Sequence, residues 1–199
     1  MKRRDLRLLF NTNAPHSSSG YSIEMRDILY RLVEDGWPVA ISAFYGVDGG
    51  PTDIEYPDNL NPRLKGLTIK HYPKMSESWG SDGMFYHGQN WKANVVFSMQ
   101  DIWTLDPSFL SKIPVWIPWL PIDKEPLPIN VIQKLTFAYK IMCFSKFGYD
   151  QLLNNGFAST LIYEGTDVEI FKPRGKMEAR KKLGLPQDVF LWSMVGANK

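Results

Sequence analysis

The chain has 199 residues, of which 44% are hydrophobic and 22% are charged, with 23 basic residues against 21 acidic ones. This length allows one full domain and the beginning of another, and the apolar fraction is enough for a sizeable core. The net charge of +2 gives no strong field that would attract nucleic acid. No apolar run approaches the roughly 20 residues of a transmembrane helix, which leaves only peripheral membrane contact open.

Cysteine usage and the N-terminus indicate a cytoplasmic α/β domain. The lone Cys143 has no internal disulfide partner, and its apolar surroundings in the run I-M-C-F predict a buried, inert thiol. The basic start of the chain is followed by an apolar segment, residues 6–10, that is too short for a signal peptide and is interrupted by Arg7.

Segments typical of strands and helices alternate along the chain. Residues 6–10 predict a strand, and a helix follows from about residue 22 to residue 35, with apolar residues at i, i+3, i+4, i+7 and i+8. Gly36 is well placed to end that helix. Residues 39–44 are nearly all apolar, as expected for a strand buried on both faces, and they complete a βαβ unit.

The same alternation continues to the end of the chain. Residues 45–61 and 76–88 are polar and rich in glycine, which predicts loops. Further strands are predicted at residues 67–72, 95–99, 115–119, 141–144 and 161–163, and helices at residues 130–139 and 146–155. Seven short strands interleaved with helices predict a Rossmann-like, doubly wound parallel sheet with helices on both faces.

The loop N-A-P-H-S-S-S-G-Y-S, residues 13–22, lies at the edge where a doubly wound sheet binds ligands. The start of the next helix offers free N–H groups and a partial positive charge to a phosphate, and Gly20 has no Cβ to hold a ligand away. A serine-rich helix cap without a ligand fits the pattern equally well. With one glycine only, the loop argues against a dinucleotide-binding G-x-G-x-x-G, and no P-loop motif occurs.

The segment from Ser159 onward carries the most specific pattern. It reads S-T-L-I-Y-E-G-T-D-V-E-I-F-K-P, followed by a basic helix and then L-G-L-P-Q-D-V-F-L-W-S-M-V-G. Glycosyltransferases of the GT-B type carry a similar N-G-V-D-x-x-x-F-x-P segment between their two Rossmann-like domains. The chain therefore resembles glycosyltransferase family 4 and its relatives.

This resemblance implies a domain organisation. Residues 1–175 are expected to form the N-terminal, acceptor-side half of a GT-B fold. Residues 176–199 are expected to be a linker with the first helix and strand of a truncated, donor-binding C-terminal domain, the strand falling near residues 189–195. The missing C-terminal domain would be the partner of this half, without which the fragment should be close to inactive.

The resemblance also implies a function. The full-length protein is expected to be a retaining glycosyltransferase that moves a sugar from a nucleotide-sugar donor to an unidentified sugar, lipid or other small-molecule acceptor, with no metal or other cofactor. The alternatives are a non-catalytic binding or interaction domain of the same fold and an inverting or epimerase-like GT-B relative. The three histidines, His16, His71 and His87, are too scattered for a metal motif.

The candidate site residues follow predicted strands. Asp101 and Trp103 come after the strand at residues 95–99, where a carboxylate could accept hydrogen bonds from sugar hydroxyls and an indole could stack on a sugar ring. Asp123 stands about where relatives place a His, and it could accept a proton or orient a hydroxyl, which makes it the candidate catalytic residue. Each segment has an alternative interpretation. Asp101 could cap a turn while Trp103 lies in the core, and Asp123 could belong to a solvated loop that prolines make rigid.

The remaining candidates are substrate-binding residues placed in the cleft by the resemblance. Three of them, Ser19, Gly20 and Tyr21, lie together where the loop after the first strand leads into the next helix. His16 belongs to the same loop, and Glu164 follows the strand at residues 161–163.

Overall fold

The computed structural model describes residues 5–57, 60–168 and 170–194. The chain divides into two compact units, residues 1–164 and residues 165–199. The first unit therefore ends at Glu164, whereas the sequence places the domain boundary at residue 175.

The first unit is built on one eight-stranded sheet with the strand order β3-β4-β2-β1-β5-β6-β7-β8. All neighbouring strands are parallel except β3, which runs antiparallel to β4 at one edge. The strands are β1 Leu8–Asn13, β2 Val39–Tyr45, β3 Thr52–Glu55, β4 Thr68–Tyr72, β5 Val95–Met99, β6 Trp116–Leu120, β7 Met142–Cys143 and β8 Thr160–Leu161. The predicted α/β, Rossmann-like parallel sheet is confirmed.

Helices connect the parallel strands. They are α1 Gly20–Glu34, α2 Ser81–Trp91, α3 Pro107–Leu110, α4 Ile129–Leu135 and α5 Lys146–Asn154, with short 3₁₀ turns at Pro62–Leu64 and Ile102–Thr104. As predicted, Gly36 follows the end of α1 with a positive φ of 87°, a conformation that glycine adopts without strain.

Alternate residues of the strands enter two separate cores. On one face, Leu8 and Ile41 of the sheet pack with Met25 of α1. On the other face, Leu9, the residue after Leu8 in β1, packs with Met84 of α2 and with residues of α3, α4 and α5. This alternation follows from the two-residue period of a strand, and it explains why the central strands are almost continuously apolar.

Helix α2 corrects the prediction of a loop at residues 76–88. The glycines that suggested a loop serve close packing instead, since a Cβ on Gly83 would lie 2.7 Å from Ser42 Oγ. The helix start is held by carboxylates: Asp82 Oδ2 accepts hydrogen bonds from the Ser76 and Glu77 N–H groups, each at 2.9 Å. Glu77 Oε2 accepts one from Ser81 N–H at 2.8 Å.

Strand β3 corrects the prediction of a loop across residues 45–61. Ile54 of β3 is the register partner of Ile69 on β4, and its carbonyl accepts a hydrogen bond from the Tyr30 hydroxyl at 2.7 Å. The strand is short and mostly exposed, and its sequence T-D-I-E has only one strongly apolar residue. Composition therefore gave little indication of it.

The second unit contains the helix α6, Lys176–Lys182, as predicted. The expected strand at residues 189–195 is not formed between residues 189 and 194, and residue 195 lies outside the described ranges. The buried Arg180 holds the start of this segment, because its Nη1 donates hydrogen bonds to the carbonyls of Pro186, Gln187 and Val189 at 3.1, 2.9 and 2.9 Å. These carbonyls are held in a loop around the guanidinium.

Candidate functional site

Two cavities lie at the carboxyl edge of the parallel strands, the edge where doubly wound sheets bind ligands. The first has a volume of about 440 Å³ and is formed by the segments after β5 and β6 with the start of α4. The second has a volume of about 460 Å³ and is formed by the ends of β1 and β2 with the segments after β4 and β5. Asp101 and Trp103 line both cavities, so the two are neighbours that share a wall.

The first cavity brings together the predicted residues Asp101, Trp103 and Asp123. Lys124 also lines it, and the rest of its wall is largely apolar, with Ile122 among the lining residues. Two carboxylates on an apolar wall suit a neutral ligand with hydroxyl groups better than an anionic one.

The two carboxylates of the first cavity are electrostatically coupled. Burial raises the pKa of Asp101, and the nearby Asp123 carboxylate raises it further, while a hydrogen-bonding interaction with the Trp103 side chain acts in the opposite direction. Among the described residues, no ion pair joins Asp101 or Asp123 to a Lys or Arg. The charge of this cavity is therefore available to a ligand.

The second cavity is rich in aromatic side chains. Tyr21 is the predicted residue it contains besides Asp101 and Trp103. Its other aromatic residues are Phe44, Tyr45 and Trp79, and Phe44 and Trp79 pack against each other with ring centroids 6.1 Å apart. Polar groups come from Asn13, Lys74, Ser78, Gln100 and Thr104.

A buried polar network supports the wall of the second cavity. Asn11, on β1, donates hydrogen bonds from Nδ2 to the Trp79 carbonyl at 3.1 Å and to Gln100 Oε1 at 3.3 Å. Gln100 Nε2 donates to the same Trp79 carbonyl at 3.2 Å. These bonds hold the backbone at Trp79 against the sheet.

Tyr21 lies within the electrostatic field of three predicted acidic residues. Burial raises the pKa of Tyr21 to about 12, and the carboxylates of Asp101, Glu164 and Asp123 add to the rise in that order. Its hydroxyl therefore stays protonated and available as a hydrogen-bond donor at neutral pH.

Ser19 and Gly20 begin α1 and line neither cavity. Ser19 is the N-cap: its Oγ accepts hydrogen bonds from Ser22 N–H at 3.1 Å and from Asn13 Nδ2 at 2.8 Å. Space beside Gly20 is open, since a Cβ there would meet no heavy atom within 4 Å. These two residues position Asn13 and Tyr21 at the second cavity.

His16 and Glu164 also lie outside the walls of both cavities. The exposed His16 is bound through Nε2 to the Gly46 carbonyl at 2.7 Å, which ties its loop to the end of β2. Glu164 is mostly exposed, but the part of its side chain that is shielded from water raises its pKa, and the charge of Glu24 raises it further. Glu164 is linked to the other candidates through its charge, which raises the pKa of Tyr21.

Sequence reasoning missed the residues that make the second cavity aromatic, Tyr45 and Trp79, and its cation, Lys74. Tyr45 directly follows the strand predicted at residues 39–44, so its position was a signal that could have been used. Trp79 and Lys74 lie in the long connection between β4 and α2. Their place at the cavity depends on how that connection folds back over the sheet edge.

The described residues 5–57, 60–168 and 170–194 contain neither a membrane-spanning helix nor a metal-binding cluster. No helix in them is long and apolar enough to span a membrane. No three His, Cys, Asp or Glu side chains in them are grouped as a metal ion would require.

Comparison with known proteins gives a structural match only. No protein-family model matches the chain, and no curated protein matches its sequence. Its fold is similar to that of a sucrose-phosphate synthase from Thermosynechococcus elongatus, with a TM-score of 0.60 and 13% sequence identity. The match covers 92% of this chain and 53% of that one, so the chain spans about half the length of its structural neighbour. At this identity the similarity establishes the fold.

Proposed function

We propose that this chain is the acceptor-binding domain of a GT-B glycosyltransferase that takes its sugar from a nucleotide-sugar donor. The observation that carries the proposal is the cavity shared by Asp101, Asp123 and Trp103 at the carboxyl edge of the sheet. Its two carboxylates and exposed indole suit a sugar with several hydroxyl groups. The similarity of the fold to a sucrose-phosphate synthase supports the same function class.

The proposed reaction uses the first cavity to orient one acceptor hydroxyl. The hydroxyl oxygen forms a bond to the anomeric carbon of the donor sugar on the same face from which the nucleotide diphosphate leaves, while the bond from that carbon to the diphosphate oxygen breaks, so the configuration at that carbon is kept. The hydroxyl proton passes to a carboxylate, for which we assign Asp123, and the nucleotide diphosphate leaves with the bond electrons. Retention of the anomeric configuration and independence from metal ions are parts of the proposal that follow from the resemblance to family 4.

Asp101 and Asp123 are given different roles because their surroundings differ. Asp123 is exposed on its loop, where an acceptor and a donor can both approach it. Asp101 is half-buried, with Trp103 nearby and a raised pKa, and it is the better placed to hold a second acceptor hydroxyl in a fixed position. A fixed geometry of this kind lowers the barrier by aligning the attacking oxygen before the reaction.

The donor side of the proposed active site lies in a second domain. The loop after β1 and the start of α1 would face the donor diphosphate or the acceptor, with Gly20 leaving room for a close approach. Groups on both sides of the cleft are needed to stabilise the transition state, so we expect the 199-residue chain alone to be close to inactive.

The experiment is a screen of nucleotide-sugar hydrolysis and transfer with the full-length gene product, followed by NMR assignment of the product anomer. We expect turnover that is strongly reduced by Asp123→Asn and unchanged by Asp48→Asn, an exposed aspartate that lines neither cavity. A folded protein that neither hydrolyses nor transfers any donor would favour the non-catalytic alternative. A product of inverted configuration would replace the retaining mechanism with an inverting one.

A further inference from the structure

We infer that the acceptor is an extended molecule with at least two rings, in which the reacting ring lies in the first cavity and a second ring stacks on aromatic side chains in the second. This inference rests on the proposed function, which it deepens by naming the class of acceptor. It goes beyond that function because a single-ring acceptor would need the first cavity only.

The first support is the wall that the two cavities share. Their volumes are about 440 and 460 Å³, and either one alone lies within the range of about 300–1,000 Å³ that small-molecule sites occupy. Asp101 and Trp103 belong to both walls. A ligand that reacts beside Asp123 and has a second hydroxyl held by Asp101 lies next to Trp103, from where another ring can reach the second cavity along the same sheet edge.

The second support is the exposure of aromatic surface in the second cavity. Tyr45 is 61% exposed, Trp103 is 56% exposed and Trp79 is 44% exposed, although all three line a concave site. Leaving large rings open to water forgoes the free energy that their burial would give. A flat ring laid against them would bury these faces together.

The third support is the difference in polar groups between the cavities. The first contains both carboxylates, Asp101 and Asp123. The second has Asp101 only at the shared wall, and otherwise offers the Asn13 and Gln100 amides and the Lys74 ammonium group. The chemistry of proton transfer is thus confined to the first cavity, and the second is suited to binding.

The fourth support is the rigidity of the backbone that carries Trp79. Its carbonyl accepts hydrogen bonds from both Asn11 and Gln100, at 3.1 and 3.2 Å, and both of these side chains are buried. A stacking residue whose backbone is fixed in advance loses less conformational entropy when its ligand binds.

The test measures binding of matched glycosides to the 199-residue chain by ligand-observed NMR and calorimetry. The probes are methyl and phenyl β-glycosides of glucose, galactose and mannose, which differ within each pair only by the second ring. We expect the phenyl glycoside of the preferred sugar to bind about tenfold more tightly than its methyl partner, the size expected for one stacked ring.

Two variants locate the effect. Trp79→Ala removes the ring but keeps the carbonyl that Asn11 and Gln100 bind, and it should abolish the phenyl preference while the methyl glycoside binds as before. Tyr139→Ala is the matched control, because Tyr139 is 64% exposed and lines neither cavity, and it should keep the preference. Circular dichroism checks that both variants fold.

Each other outcome has a stated meaning. Equal binding of the methyl and phenyl glycosides, or a phenyl preference that survives Trp79→Ala, overturns the two-ring acceptor and leaves the proposed function standing. Uridine or adenosine monophosphate binding that is lost in Trp79→Ala would place a nucleotide base in the second cavity, which also overturns it. If no glycoside of either kind binds the folded chain, the acceptor role itself fails and the inference fails with it.

Discussion

Asp101 and Asp123 line one cavity although they follow two different strands, and after burial the charge of Asp123 is the next cause of the raised pKa of Asp101. The relationship arises because β5 and β6 are parallel neighbours, so the segments that follow them meet at the same edge of the sheet. Two carboxylates held this close repel each other unless a proton or a ligand intervenes.

This repulsion predicts that Asp101→Asn stabilises the chain at neutral pH. The pKa of Asp101 is higher in the folded state than in the unfolded one, so its contribution to stability is fully present below the unfolded pKa of about 3.9 and is lost as the pH rises through the folded pKa. We expect a rise in Tm of about 1 to 3 °C at pH 7, small because Asp101 is only half-buried, and no rise near pH 3.

Thermal unfolding between pH 3 and pH 8 measures this effect, with Asp48→Asn as the control for loss of an exposed carboxylate. A gain in Tm of equal size at every pH would show that the substitution acts through packing and that the coupling with Asp123 is absent.

Asp123→Ala should reduce turnover of the full-length gene product by about 10²- to 10⁴-fold, the usual contribution of a positioned proton acceptor. The side chain is exposed on a loop, so the free energy of unfolding should change by no more than about 0.5 kcal/mol. Steady-state kinetics and a thermal melt on the same preparation separate the two quantities. Wild-type turnover from this variant would move the proton acceptor elsewhere, with Asp101 as the next residue to substitute.

The fold was largely predictable from the sequence because most parallel strands of the sheet's interior contain an apolar run. Residues 39–44, for example, predicted β2 to within one residue of Val39–Tyr45. The two segments of the first unit that were predicted as loops but contain α2 and β3 were wrongly predicted for a common reason. The glycines at 83 and 88 in α2 and the polar residues of β3 give compositions typical of loops, and only tertiary packing shows their roles.

The candidate site was predictable in part. Asp101 and Asp123 were identified because the rule that ligands bind beyond the carboxyl ends of strands needs only the chain order. Ser19 could not be separated from a ligand contact by sequence, since a helix cap and a phosphate-binding residue are both small and polar. Trp79 was missed because its place depends on the buried bonds from Asn11 and Gln100, which no local pattern shows.

Two glycines near the sheet edge should respond differently to substitution. At Gly20 an added Cβ meets no heavy atom within 4 Å, so Gly20→Trp should leave the fold intact while its bulk blocks ligand approach in the full-length gene product. At Gly80, which has a φ of +78°, an added Cβ would lie 2.5 Å from the buried Asn11 Oδ1. Gly80→Ala should therefore destabilise the chain by about 1–3 kcal/mol.

Chemical denaturation of both variants, with ligand binding measured for Gly20→Trp, tests this pair. A destabilised Gly20→Trp would mean that the start of α1 is packed more tightly than the structure shows. Unchanged ligand binding in a folded Gly20→Trp would remove Gly20 from the proposed cleft.

The buried His71 should be neutral well below the pH at which a free histidine takes up a proton. Burial lowers its pKa to about 4, a hydrogen bond to the Ile69 carbonyl raises the pKa by a smaller amount, and the nearby His16 lowers it further. The carbonyl can only accept, so Nδ1 carries the proton of that 2.8 Å bond, and Nε2 is buried without a partner among the described residues. Protonating Nε2 would place an N–H group where nothing described accepts its hydrogen bond.

The folded pKa of His71 lies below the unfolded value of about 6.5, so the unfolded chain binds more protons between pH 6.5 and pH 4 and stability falls as the pH is lowered through that window. We expect the free energy of unfolding to fall by about 1–3 kcal/mol across this window. The figure follows from about 1.36 kcal/mol per pKa unit, reduced because the structure around His71 can relax when the ring is protonated. His71→Gln, which keeps a side-chain N–H for the Ile69 carbonyl and does not titrate, should flatten this slope. Proton NMR gives the direct reading: the His71 ring resonance should keep its neutral-form chemical shift down to about pH 5, and a midpoint near 6.5 would show that the imidazole is not held in this buried site.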